Sequence, residues 1–176
     1  MEPSTVDLRR VLELVRDVPD FPQPGVLFRD LSPVLADAAA FATVVDGLAG
    51  GHTGLDVVLG IEARGFVLGA AVARALRLGI VGARKPGKLP AVAHRAEYSL
   101  EYGTAALELP ADTLAAGQRV LVVDDVLATG GTLAAAGELV EAAGAVVAGL
   151  VVVIELAELG GRRRLTGRPL RALLTL

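Results

Sequence analysis

The stretch VLVVDDVLATGGT, residues 120–132, limits what this chain can fold into more than any other. Its first four residues are apolar and three of them are valine, which reads as a buried strand over 120–123. Asp124 and Asp125 follow at the carboxyl end of that strand, and a short loop over 126–131 comes next. Leu133, Ala136, Val140 and Ala143 then fall on one face of a helix. A strand, a short loop and a helix in succession begin a βα unit, so the expected class is α/β with a mostly parallel sheet. In such sheets ligands bind outside the carboxyl ends of the strands. The backbone N–H groups of Thr129, Gly130, Gly131 and Thr132, two hydroxyls and a helix amino end together suit a phosphate. Ionised Asp124 and Asp125 can only accept hydrogen bonds, so they require hydroxyls or the water shell of a metal. A ligand that carries both a phosphate and adjacent hydroxyls is a ribose 5-phosphate.

Composition narrows the class further. A length of 176 residues suits one domain. The chain is 53% apolar but only 3% aromatic, so its core has to be built from Val, Leu, Ile and Ala. A net charge of −3 argues against a general nucleic-acid or membrane-surface binder, which would carry a basic excess. With no cysteine there is no disulfide, no thiolate metal site and no thiol nucleophile. The start, MEPSTVDLRR, is polar and of mixed charge, unlike a signal peptide. Apolar runs such as 146–154 are too short to span a bilayer. The expectation is a soluble, cytoplasmic protein.

Ser4 or Thr5 can cap a first helix with Leu8, Val11, Leu12 and Val15 on one face, stopped by Pro19. In DFPQPGVLFRDLSPVL, residues 20–35, prolines and Gly25 prevent a regular element from starting before Val26. Phe21, Val26, Leu27 and Phe28 make this stretch too apolar to be merely solvated; it either packs or grips a flat heterocycle. Asp37 caps a second helix that carries Phe41, Val44, Val45 and Leu48 on one face and ends at Gly50. His52 and His94, the only histidines, lie far apart in loops, form no metal or triad constellation and read as solvent-exposed or incidental. A short buried strand over 56–60 leads into IEARGF and a helix of small apolar residues up to Gly79. Glu62 and Arg64 sit at that turn, where Arg64 either faces an anion or pairs with Glu62.

A third strand over 80–83 leads into RKPGKLPAVAHRAEYSLEYG, a long stretch without clear periodicity that reads as a functional lid or a solvated basic loop. Only two of the 17 basic side chains are lysines, Lys85 and Lys88, and both lie here beside Arg84. Lysine is a compact, mobile point charge that can follow a phosphate. Residues 98–100 and 104–109 read as a short hairpin with Glu101 and Tyr102 near its turn. Glu101 is either an exposed hairpin acid or a catalytic group on a moving flap. The run 146–154 is a further buried, parallel-type strand, and 170–174 is the last. Arg162, Arg163 and Arg164 read as a solvated face or a subunit contact.

Gly82, Gly87 and Lys88 match part of a nucleotide-binding P-loop. Leu89 and Pro90 follow where a Ser or Thr and a helix are required, and Pro86 removes a backbone donor from the cradle, so that reading is rejected. No G-x-G-x-x-G occurs, which removes a dinucleotide-binding reading. Instead, 120–132 resembles the phosphoribosyl diphosphate signature of the type I phosphoribosyltransferases. FPQPGVLFRDLSPVL, GIEARGF, RKPGKLP, YSLEYGT and VLVVDDVLATGGT occur in the order and spacing of the adenine-specific branch of that family, from about residue 20 to the carboxyl end. The resemblance implies the type I phosphoribosyltransferase fold. This is a mostly parallel central sheet flanked by helices, with a small hood (about 20–35) and a flexible catalytic loop or hairpin (about 85–103), all in one domain over 1–176.

The resemblance also implies an activity: adenine and 5-phosphoribosyl 1-diphosphate give AMP and diphosphate in purine salvage. It further implies Mg²⁺ and a cytoplasmic homodimer, with no nucleic-acid or membrane partner. Ala128, Thr129, Gly130, Gly131 and Thr132 would hold the 5-phosphate, and Asp124 and Asp125 the ribose hydroxyls. Arg64, Arg84, Lys85 and Lys88 would face the diphosphate, with part of the last group's loop reaching the partner subunit's site. The backbone of Leu27 and Arg29 would read the edge of adenine, with Phe28 and Val126 against its faces. Glu101 and Arg64 would be catalytic, and Tyr102 would close with Glu101 over the site. Magnesium would be held mainly by the substrate's diphosphate, with no dedicated protein ligands. Val126 replaces the usual Leu, loosening one wall of the base pocket, and Ala83 replaces a larger aliphatic residue. The other expectations weighed are a 6-oxopurine phosphoribosyltransferase and a non-catalytic, phosphoribosyl-diphosphate-sensing regulator.

Overall fold

The computed structural model describes residues 5–100 and 103–176. In chain order the elements are α1 (Thr5–Leu14), β1 (Arg16–Pro19), β2 (Leu27–Asp30), α2 (Ser32–Ala36), α3 (Ala38–Ala49), β3 (Val57–Ile61) and α4 (Arg64–Leu76). There follow β4 (Gly79–Ala83), β5 (Val92–Leu100), β6 (Gly103–Pro110), β7 (Arg119–Leu127), α5 (Gly131–Ala142), β8 (Val146–Glu155) and β9 (Leu170–Thr175). The central sheet has the order β4-β3-β7-β8-β9, and every pairing in it is parallel.

Both faces of that sheet are covered, which is why its strands read as unbroken apolar runs. Val57, Leu59, Val120 and Val122 point to a core shared with α5 and with Leu107 and Leu109 of β6. Val58, Leu121 and Val123 point the other way, into a core shared with α1, α3 and α4. Asp37 caps α3 as its position implies, its side chain accepting the Ala40 N–H at 2.9 Å.

Three local readings of the sequence need correction. The first helix stops at Leu14, and 16–19 pairs antiparallel with 27–30 to make a separate two-stranded sheet. Pro19 disfavours helix at the residue before it, and Arg16–Asp30 and Arg29–Asp17 ion pairs join the two strands. The long stretch after Ala83 is aperiodic only to about residue 91; from Val92 it is strand β5, antiparallel to β6. Its alternation is masked in the sequence because the side chains turned inward include Ala96 and the half-buried His94 and Tyr98. The strand that begins at 119 continues through both aspartates to Leu127, held by parallel pairing that extends to Leu127 opposite Glu155. The loop before α5 is therefore shorter than the sequence suggests.

The histidines also differ from expectation, since both are half-buried. His52 lies beneath β8 at Gly149, where an added Cβ would stand 3.2 Å from its ring. No helix among the described residues is long and apolar enough to cross a membrane.

Candidate active site

Parallel pairing brings the carboxyl ends of β3, β4 and β7 to one edge of the sheet, with Ile61 opposite Ala83 and Gly60 opposite Val123. Glu62, Arg64, Arg84, Lys85, Asp124 and Asp125 therefore emerge on that edge, and the hood formed by β1 and β2 stands over it through Phe28.

Arg64 is the link between hood and sheet. Its Nε lies 2.6 Å from Asp125 Oδ2, and its guanidinium carbon lies 5.0 Å from the centre of the Phe28 ring. The contact with Asp125 is an ion pair rather than an aligned hydrogen bond, because Oδ2 has no hydrogen-bond partner. Arg64 thus pairs across the sheet with Asp125 and not with Glu62 in its own turn. This close approach depends on Gly65. A Cβ there would stand 2.8 Å from the Val123 carbonyl oxygen and 3.0 Å from Asp124 Oδ1.

The two aspartates are among the few buried charged residues, Asp124 at 8% and Asp125 at 7% exposure. Burial, and then the charge of Asp125, raise the Asp124 carboxyl well above the ordinary carboxylate range, while the charge of Arg64 opposes them. The Asp125 N–H donates to Asp124 Oδ1 at 2.9 Å, which fixes that carboxylate's orientation. A buried acid pair with one nearby cation is poised to accept donors from a ligand.

Beyond Leu127 the chain turns through half-buried Ala128 and Thr129 and buried Gly130 into α5. Gly130 adopts φ +83°, and no side chain caps the helix. The first-turn N–H groups therefore lack an intrahelical or side-chain partner at that end, the arrangement that binds anions. Thr132 is half-buried at the start of the helix.

On the neighbouring strand end, Glu62 organises the basic segment. It accepts the Lys85 backbone N–H at 2.9 Å and lies 3.4 Å from Arg84 Nε. These bonds, with the hydrogen bond to Lys85 foremost, hold its carboxyl below the ordinary range. Arg84 also lies 5.8 Å from the centre of the Phe66 ring. Lys85 and Lys88 are exposed. Lys85 lines a cleft of about 280 Å³ with Arg95, Tyr98 and Thr104 of the β5–β6 hairpin.

In the hood, Leu27 is exposed and Phe28 and Arg29 are half-buried. Phe28 packs edge-on against Phe21 at 5.1 Å, and the Arg29 guanidinium is engaged by Asp17. Among the described residues β2 pairs only with β1, so its other edge presents free backbone groups. Asp30 anchors the hood: hydrogen bonds from Ser32, then Arg16, draw its carboxyl down to about 2. Val126 is half-buried beside the apolar core. Glu101 and Tyr102 lie outside the described residues. Glu62's real partners, Gly65 and Phe66 were not identified from sequence as parts of the site, since each acts through a contact between distant segments.

Among the described residues no group of three or more His, Cys, Asp or Glu side chains could hold a metal ion. A divalent cation could still be met here by the carboxylate oxygens of Asp124 and Asp125 through its water shell, provided a ligand brings the remaining oxygens.

The family model described as Phosphoribosyl transferase domain matches residues 34–167. The adenine phosphoribosyltransferase of Saccharopolyspora erythraea is 66% identical over 169 residues, covering 96% of this chain and 92% of that protein. The one from Clavibacter michiganensis subsp. michiganensis is 57% identical and covers 99% of both. A crystal structure of adenine phosphoribosyltransferase from Thermoanaerobacter pseudethanolicus superposes with a TM-score of 0.92 at 44% identity, over 96% of this chain and 99% of that one. The Saccharomyces cerevisiae adenine phosphoribosyltransferase, complexed with an imino-altritol bisphosphate and adenine, superposes with a TM-score of 0.90 at 36% identity. That match covers 97% of this chain and 100% of that one.

Proposed function

The chain belongs to the phosphoribosyl transferase family, and from that premise we propose how its own residues carry the adenine phosphoribosyltransferase reaction. The reaction moves the 5-phosphoribosyl group from 5-phosphoribosyl 1-diphosphate to N9 of adenine, giving AMP and diphosphate in purine salvage. The observation that carries the residue assignment is the continuity of β7, the buried acid pair and the uncapped start of α5.

Residues 128–132 hold the 5-phosphate on backbone N–H groups and the hydroxyls of Thr129 and Thr132. Asp124 and Asp125 accept hydrogen bonds from the 2- and 3-hydroxyls of the ribose. N9 then attacks the anomeric carbon as diphosphate leaves, through a transition state resembling an oxocarbenium ion. Negative charge on the acid pair favours the positive ring, and preorganised groups of this kind are commonly the largest catalytic contribution. Arg64 exchanges its partner Asp125 for the leaving diphosphate, which Arg84, Lys85 and Lys88 also face. Asp124 and Asp125 would face the water shell of a magnesium ion brought with the diphosphate, and that ion would supply further neutralisation of the leaving group.

Adenine lies against Phe28 and Val126, with the open backbone edge at Leu27 and Arg29 reading its N1 and 6-amino positions. A backbone edge selects by donor and acceptor order, so a 6-oxopurine leaves buried groups unpaired. Glu101 handles the purine ring proton, and Tyr102 closes with it over the site, excluding water that would hydrolyse the activated sugar. The chain is read as one domain over 1–176, with a hood from about 20–35 and a catalytic loop and hairpin from about 85–103. It works as a cytoplasmic homodimer.

The test is the purified protein with 5-phosphoribosyl 1-diphosphate, Mg²⁺ and each of adenine, hypoxanthine and guanine. Nucleotide formation from adenine alone supports the assignment. Faster turnover of hypoxanthine or guanine overturns the base reading, and no turnover of any base overturns the reaction.

A further inference from the structure

We infer that the turn at residues 160–162, locked by an Arg162–Glu155 ion pair, is a positioning element that sets the shape of the 5-phosphate loop from behind. The inference deepens the proposed function and rests on the reading of 128–132 as a phosphate cradle.

The loop and the turn approach each other closely at backbone level, with the Leu127 side chain also against Gly161. A Cβ added at Gly161 would stand 2.2 Å from the Ala128 carbonyl oxygen and 2.8 Å from the Gly130 nitrogen. A Cβ added at Gly130 would in turn stand 2.4 Å from the Gly161 carbonyl oxygen. Neither glycine can gain a carbon without moving the other segment. The carbonyl of Gly130 also accepts the Ala134 N–H at 2.9 Å, so a shift of Gly130 carries into the first turn of α5.

The turn has no freedom to yield. Gly160 takes a left-handed conformation at φ +63°, and Gly161 opens a short 3-10 segment through Leu165, which is buried. Arg162, the next residue, reaches back to Glu155 at the carboxyl end of β8. Its Nε donates to the two carboxylate oxygens at 2.9 and 3.2 Å, and its Nη2 donates to Oε2 at 2.5 Å. Nη1 donates to the Leu170 carbonyl at 3.3 Å, which adds β9 to the clamp.

Glu155 is only 7% exposed and sits in register with Leu127, the residue just before the phosphate loop. A planar guanidinium held by a forked set of hydrogen bonds tolerates little displacement. The clamp therefore adds the close Gly161–Gly130 approach to the strand pairing by which β8 already holds Leu127, the residue before the loop. Arg162 and Glu155 touch no substrate in this arrangement; they act through Gly161 on groups that do.

The consequence is specific to the phosphate. Losing one well-aligned hydrogen bond to a charged group costs about 1.5–3 kcal/mol, or about tenfold or more in affinity, and here the displaced N–H groups serve only the 5-phosphate. The experiment compares AMP and adenosine binding by calorimetry in the parent protein, Gly161→Ala, Arg162→Gln and Arg164→Gln. Arg162 is half-exposed on its side chain, so Arg162→Gln keeps the test open if Gly161→Ala does not fold. The expected result is a ratio of AMP to adenosine affinity lowered roughly tenfold or more by the first two substitutions. Adenosine binding should stay within about twofold, and Arg164→Gln, an exposed neighbour, should leave the ratio at the parent value. Variants that lose thermal stability yet keep the parent ratio overturn the inference and make the turn merely structural. A parent protein that binds adenosine as tightly as AMP overturns the phosphate-cradle reading instead, so the two failures are distinguishable.

Discussion

Asp124→Asn separates what this carboxylate does for the reaction from what it costs the fold. Asp124 is buried, and desolvation followed by the charge of Asp125 raises its proton affinity well above that of an ordinary carboxyl. The folded carboxyl keeps its proton at pH values where the unfolded chain has released it. The native state then binds more protons than the unfolded state, so this group makes stability fall as pH rises from the ordinary carboxyl value to the raised one. Each tenfold difference in proton affinity amounts to about 1.4 kcal/mol. Asparagine cannot titrate and keeps the shape, and its Oδ1 still accepts the Asp125 N–H that Asp124 accepts at 2.9 Å. In urea unfolding without ligands, Asp124→Asn should be more stable than the parent near neutral pH, because the parent's raised carboxyl loses stability as pH climbs above the ordinary carboxyl value. The difference should shrink toward zero as pH approaches the ordinary carboxyl value, about 4. The same variant should lose on the order of 10²–10³-fold in kcat/KM for 5-phosphoribosyl 1-diphosphate, because an acceptor aimed at the ribose is gone. A variant less stable than the parent at every pH, or one whose gain does not depend on pH, would refute the reasoning.

Phe28→Ala should raise KM for adenine about 3- to 10-fold through lost ring contact, and steady-state kinetics should find KM for 5-phosphoribosyl 1-diphosphate nearly unchanged. A larger effect on the sugar diphosphate would mean that Phe28 acts through Arg64, whose guanidinium rests on its ring. Glu101→Gln should lower kcat by about 10²-fold; a loss smaller than about threefold removes Glu101 from proton transfer. His52 is held below the ordinary histidine range by burial and then by the charge of Arg171, and its buried Nε2 has no hydrogen-bond partner. The unfolded chain therefore takes up that proton first, and stability should fall as pH drops through the ordinary value of 6.5. Thermal melts of His52→Phe across that window should show a shallower acid slope than the parent, and an identical slope removes His52 as a contributor.

How much of this was readable in the sequence depends on how far apart in the chain the interacting groups lie. The strand–acid–glycine–helix arrangement over 119–142 was legible because its parts are consecutive, so order alone places them at one strand end. The buried strands were legible because two-faced burial leaves unbroken apolar runs at 57–61 and 146–154. The hairpin strand β5 was obscured because its inward positions are filled by Ala96 and by amphipathic His94 and Tyr98, which blur the alternation. Arg64 shows the other limit. Its turn offered Glu62 as the nearest acid, yet strand pairing placed Asp125 within 2.6 Å and gave Glu62 to Lys85 and Arg84. The patch at 162–164 was legible only as charge. One of its arginines closes on Glu155, and the glycine beside it carries that constraint to Gly130. The loop over 128–131 can thus be recognised from its own residues, whereas the close packing of Gly161 against Gly130 comes from a segment some thirty residues further on. Substitutions at Glu155, Gly161 and Arg162 should therefore alter phosphate affinity although none of those residues belongs to the recognisable motif.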